Sequence, residues 1–129
     1  MLASGLVEVQ NHSYNLHSYT PERHGCLPNA GEAEAEYAAL LRTDLQRLQD
    51  ELAEHTGCTP DTFAYPYGKY SDRTDQVLRD MGFLATLSCD WGINHLTRDS
   101  ACLYRLRRIC RSHGQPLSAA LERAYKAAG

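Results

Sequence analysis

Apolar residues recur at steps of three and four between residues 32 and 56. Tyr37, Leu41, Leu45, Leu48 and Leu52 fall on one stripe, the spacing of a helix that buries a single face. Glu32, Glu34 and Glu36 crowd its start, where negative charge suits the helix dipole, and Gly57 is placed to end it. Ahead of this helix, Leu6-Val7-Glu8-Val9-Gln10 is short, apolar-rich and β-branched and predicts a strand. Residues 11–31 keep no period and carry Pro21, Gly25, Pro28 and Gly31, which predicts a loop. Beyond Pro60, Thr62-Phe63-Ala64-Tyr65 predicts a second strand, turned by Pro66-Tyr67-Gly68. Ser71 is placed to cap a helix with Asp72 in its first turn, Val77, Leu78 and Met81 on its inner face and Gly82 at its end. Residues 83–88 predict a third strand and 89–100 a loop. Residues 103–110 alternate apolar and basic residues loosely and predict a fourth strand. Residues 116–127 predict a closing helix with Leu117, Leu121 and Tyr125 on one face.

Strands separated by helices imply parallel pairing, so the fold class is α/β, with mostly parallel strands and flanking helices. No linker or internal repeat interrupts the 129 residues, which read as one domain. The net charge of −3 gives no reason to expect nucleic acid as a partner. The one basic cluster, Arg105, Arg107, Arg108 and Arg111, reads either as a solvated face or as a rim for a polymeric substrate. Five cysteines, an odd count without a CxxC pair, argue against a zinc ribbon or a full disulfide framework. One disulfide is left open, and most of the cysteines are expected to be small buried groups. No apolar run is long enough to span a membrane, and the first nine residues lack the pattern of a signal peptide.

Two groups of residues could carry chemistry. His12 and His17 follow the end of a predicted strand, where parallel α/β folds build their sites. A loop can bring two imidazoles onto one ion, and imidazole suits zinc, although two histidines at this spacing also occur as surface residues. The Pro66-Tyr67-Gly68 turn also stands at a strand end, and such a turn can aim backbone amides at an oxyanion or be merely a turn.

Taken in order, Asn11-His12-Ser13, His17, a long helix, Tyr65-Pro66-Tyr67-Gly68 and Asp80-Met81-Gly82-Phe83 resemble the polysaccharide deacetylases, the fourth carbohydrate esterase family. The second histidine comes five residues after the first rather than the usual four. In this the chain is similar to the branch acting on poly-N-acetylglucosamine. Ala64 stands where the family commonly has arginine. The resemblance implies a partial (β/α) barrel and a metal-dependent N-deacetylase of N-acetylglucosamine-type polysaccharide, in a family commonly extracellular or associated with the cell envelope. It implies a divalent metal, most often zinc, on His12, His17 and an aspartate. It further implies an oxyanion held by the Tyr67 N–H, and a late histidine, His113 with His95 second, protonating the departing amine.

The family's aspartate pair ends a strand that precedes the histidine motif. Here ten residues precede Asn11 and none is aspartate. The expectation is therefore a fold lacking its front part and a poor catalyst by itself, with an unpaired edge at residues 6–10 that invites a second copy. A non-catalytic metal- or sugar-binding remnant and a plain structural domain are the alternatives. Tyr14, Tyr19, Tyr67, Tyr70 and Trp91 offer flat faces suited to sugar rings or to a packed core.

Overall fold

The first part of the apolar stripe between residues 32 and 56 is buried in the computed structural model, which describes residues 2–128. In chain order the elements are β1 (Tyr19–Thr20), β2 (Arg23–His24), α1 (Glu34–Thr56), β3 (Thr62–Ala64), α2 (Asp72–Asp80), β4 (Ala85–Trp91), β5 (Leu106–Arg108) and α3 (Leu117–Ala128). Helix α1 buries Tyr37, Leu41 and Leu45, leaves Leu48 and Leu52 half-buried, and closes on Gly57, whose amide returns to Ala53 O. Helix α2 starts on Ser71, whose hydroxyl accepts the Thr74 amide. The two helices pack together over Phe63, Tyr65, Val77, Leu78 and Phe83, which form one core with the α1 stripe.

Strands β3, β4 and β5 form a parallel sheet in that order. The α/β class and the parallel pairing are as expected, but no barrel closes among the described residues. The alternation along β4 explains the arrangement. Thr86 and Ser88 are buried, while Leu87 and Cys89 are exposed on the opposite side. Small polar residues face inward here because partners await them. The Tyr65 hydroxyl donates to Asp75 Oδ1 at 2.5 Å and meets Thr86 Oγ1 at 2.9 Å. Thr86 Oγ1 in turn accepts the Arg105 amide at 2.6 Å, and the Arg105 guanidinium pairs with Asp75 and Asp72. Burial and the bond to Asp75 push the Tyr65 phenol well above its ordinary range, so it remains a donor.

Several expectations are corrected. Residues 6–10 are not a strand. Pairing is limited to one parallel bridge, Asn11 with Phe63, and Leu6 is 90% exposed. The Gln10 side chain takes the Thr62 amide at 2.9 Å, the group that the next ladder bond would need. The flat edge expected to invite a second copy is thus not formed. The loop 11–31 contains the small antiparallel pair β1–β2. In α3 the buried residues are Ala120 and Ala124, whereas Leu117, Leu121 and Tyr125 are exposed. Only Cys26 of the five cysteines is buried, and all five are free thiols.

The segment bearing the two histidines is tied to α1 and β3 through Asn11, which is fully buried. Its amide nitrogen donates to Leu45 O and Gln49 Oε1, both at 3.3 Å, and its Oδ1 accepts the Ser13 amide at 2.9 Å. Its backbone gives and takes the two β3 bonds, to Thr62 O and from Ala64 N. Asp44 of α1 accepts the Tyr14 and Asn15 amides at 2.8 and 2.7 Å. Asn11→Ala removes the side-chain bonds to Leu45 O, Gln49 Oε1 and the Ser13 amide and is expected to cost about 1–3 kcal/mol, read as a lower denaturant midpoint. A change below about 0.5 kcal/mol, typical of an ordinary surface position, would contradict this role.

Glu32 stands just before α1 and anchors the β1–β2 hairpin. The Arg23 guanidinium donates to both of its oxygens, at 2.6 and 3.0 Å, and holds its carboxyl below the usual range. A carboxyl whose folded value is depressed stabilises the fold fully above its unfolded value, about 4.3, and loses that contribution as pH falls through the folded value. Glu32→Gln is therefore expected to lower stability by about 1–2 kcal/mol at neutral pH. The gap to the parent should close below about pH 4 in paired thermal melts. A gap independent of pH would show that packing, not charge, is what the substitution removes.

Candidate active site

The open face of the sheet and the histidine loop together form a cleft of about 350 Å³, lined by His12, His17, Ala64, Tyr65, Tyr67, Leu87, Ser88, Cys89 and Arg108. Larger surface hollows lie elsewhere, including one along Arg42, Gln46 and Arg47 of α1, but that one contains no histidine. The cleft opens at the carboxyl ends of β3 and β5 and over the middle of β4, and strand ends are where parallel sheets place their sites.

His12 and His17 are brought side by side, with ring centroids 5.0 Å apart and planes inclined by 57°. His12 Nδ1 lies 2.8 Å from Ala64 O. A carbonyl oxygen only accepts, so Nδ1 is the donor, which in the neutral ring leaves the lone pair on Nε2. This is the arrangement in which a backbone oxygen orients a ligating imidazole. The contact uses the backbone of residue 64, so it survives the alanine at that position.

Tyr67 stands beside His17, with ring centroids 4.3 Å apart, and its hydroxyl donates to His17 O at 3.3 Å. Its backbone adopts the left-handed region, φ 57° and ψ 12°, a strained choice for a residue with a side chain. Gly68 follows with φ 65°, and a Cβ there would lie 2.4 Å from Cys89 Cβ. Only glycine lets this turn seat against β4, and the seat fixes where the Tyr67 amide and ring stand.

Two imidazoles side by side offer nitrogen donors of the type zinc prefers. Among the described residues no group of three His, Cys, Asp or Glu side chains is placed to hold a metal ion, and the cleft lining contains no carboxylate. The remaining predicted residues stay outside. His113 is exposed in the turn before α3, His95 is exposed in the segment after β4, and neither lines the cleft.

The basic cluster divides by task. Arg105 is engaged with Asp72 and Asp75, and Arg111 Nε donates to Gln115 O. Arg108 reaches the cleft and donates to Cys89 Sγ at 2.9 Å. Arg108 is thus the member of the basic cluster that lines the cleft, whereas nothing in the sequence pattern points to Cys89 as a cleft residue. Arg108 closes β5, and Cys89 lies within β4 beside the Tyr67 turn.

Comparison with known proteins bears on the family and the fold. Residues 1–86 match the family described as polysaccharide deacetylase. The deacetylase domain of BpsB from Bordetella bronchiseptica is 32% identical at a TM-score of 0.67, over 83% of this chain and 44% of that one. IcaB from Ammonifex degensii is 27% identical at 0.68, over 99% of this chain and 50% of that one. A de-N-acetylase from Aggregatibacter actinomycetemcomitans shares the fold at 0.73 with 21% identity, over 94% and 49%. The chain thus spans about half the length of these structures or less. No curated protein matches the chain. On its family match and on its likeness to the BpsB domain, the chain belongs to the polysaccharide deacetylase family.

Proposed function

We propose that this chain carries the histidine half of a metal-dependent N-deacetylase acting on N-acetylglucosamine-type polysaccharide. The observation that carries this reading is the pairing of His12 and His17 in a strand-end cleft, with His12 held by Ala64 O so that Nε2 is available. His12 and His17 would hold a divalent metal, zinc being the ion their donor set suits best. Such an ion, when bound, polarises an acetamide oxygen and acidifies a water. The Tyr67 amide, at the strained turn on the cleft wall, is assigned to the oxyanion. His113 is retained as the candidate for protonating the leaving amine, a role that requires it to approach the cleft from its exposed turn.

A carboxylate base and a third ligand are absent from the cleft lining, so the chain alone is proposed to be a slow catalyst. Loss of a positioned base costs about 10²–10⁴ in rate. The same absence favours a second reading, a metal- or sugar-binding domain without turnover.

Zinc calorimetry on the chain and on the His12→Ala, His17→Ala variant tests the site. Saturable binding that disappears in the variant is expected. It should weaken as the pH is lowered, because protonated imidazole cannot ligate. Binding that persists unchanged in the double variant, or is absent from the parent, would refute the assignment. Acetate release from N-acetylglucosamine oligomers then separates the two readings. Slow, zinc-dependent release supports the deacetylase, and zinc binding with no release supports the binding domain.

A further inference from the structure

The β1–β2 hairpin stands on the rim of the cleft and carries an exposed aromatic pair. Tyr19 and His24 are cross-strand partners, and their rings stack at 4.2 Å with planes within 3° of parallel. Tyr19 remains 62% exposed. Its ring lies 5.5 Å from that of Tyr67, which is 39% exposed and adjoins His17. The rings therefore form a continuous path from the hairpin to the histidine pair.

The support under this pair is rigid. Gly25 is buried with φ 56°, and a Cβ there would lie 2.9 Å from Pro66 O, so the hairpin sits directly on the Tyr67 turn. The Gly25 amide donates to Ser18 O at 2.8 Å, and Asn29 Nδ2 donates to Glu22 O at 2.6 Å. Arg23 is locked between Leu27 O and Glu32. Holding a two-residue pair this firmly, with its apolar ring faces in water, pre-organises a surface rather than burying one. A flat aromatic face with a polar edge suits a pyranose ring, whose C–H groups project from one face and whose hydroxyls project around its rim.

We infer that the Tyr19–His24 pair, continued by Tyr67, is a sugar-stacking subsite that holds the unit of an N-acetylglucosamine polymer next to the unit in the histidine cleft. The inference rests on the reading above for its choice of polymer. It makes the chain a reader of oligomer length, with the ring of Tyr19 as the determinant.

The test compares binding of N-acetylglucosamine and its pentamer to the full chain and to Tyr19→Ala and Tyr19→Phe, by calorimetry or by amide shifts in NMR. The parent is expected to prefer the pentamer. Tyr19→Ala should lose pentamer affinity by about tenfold, the scale of one aromatic contact. Monomer affinity and zinc binding should stay at parental values, and Tyr19→Phe should keep the pentamer preference. Equal pentamer affinity in the parent and Tyr19→Ala, or no pentamer preference in the parent, would overturn the subsite, as would Tyr19→Phe behaving like Tyr19→Ala. Zinc titration reports separately on the reading above. A Tyr19-dependent preference without zinc binding would leave the subsite standing and remove the metal site. Zinc binding without that preference would do the reverse.

Discussion

A single buried side-chain amide holds the architecture of the cleft together. Asn11 has no exposed surface, and its polar groups are matched to Leu45 O, Gln49 Oε1, the Ser13 amide and the two backbone groups of β3. A buried amide left unpaired is costly, so this set of bonds strongly favours one position for the chain at that point. Gln49 extends the tie by donating to Pro60 O at 2.7 Å, which fixes the approach to β3 from the same helix. The residue after Asn11 is His12, so the tie that joins α1 to the sheet also sets the direction of the first imidazole.

The site follows from that constraint. The bridge between Asn11 and Phe63 places His12 level with Ala64, whose carbonyl then takes its Nδ1 proton. His17 is returned to the same place by a loop whose amides bond to Asp44 and whose Leu16 is buried in the core. Tyr67 closes the far side because Gly68 alone fits against Cys89. The face of the sheet that helices do not cover supplies the floor, through Ala64, Leu87 and Cys89.

The helices were legible because their period is long and their stop signals are local. Tyr37, Leu41 and Leu45 are buried as their spacing predicts, and Ser71 and Gly57 act as the caps they resemble. The histidine pair and the Tyr67 turn were legible from their order along the chain, and the cleft does bring them together. What failed depended on partners distant in sequence. Residues 6–10 have strand propensity, but a strand needs a ladder, and the Gln10 side chain caps β3 instead. In α3 the buried side is the small one, Ala120 and Ala124, and the larger Leu117, Leu121 and Tyr125 are exposed, which the spacing of large apolar residues could not show. The inward Thr86 reads as polar in sequence and is buried only because Tyr65 and the Arg105 amide await it. The Tyr19–His24 stack depends on a hairpin too short for any periodic signal.

Ala64 O orients the His12 ring by taking its Nδ1–H at 2.8 Å. Nitrogen-15 NMR of the imidazole at neutral to alkaline pH, without metal, reads its tautomer directly. A protonated Nδ1 and an unprotonated Nε2 are expected at His12. A protonated Nε2, or the fast tautomer exchange of a free surface histidine, would contradict this assignment.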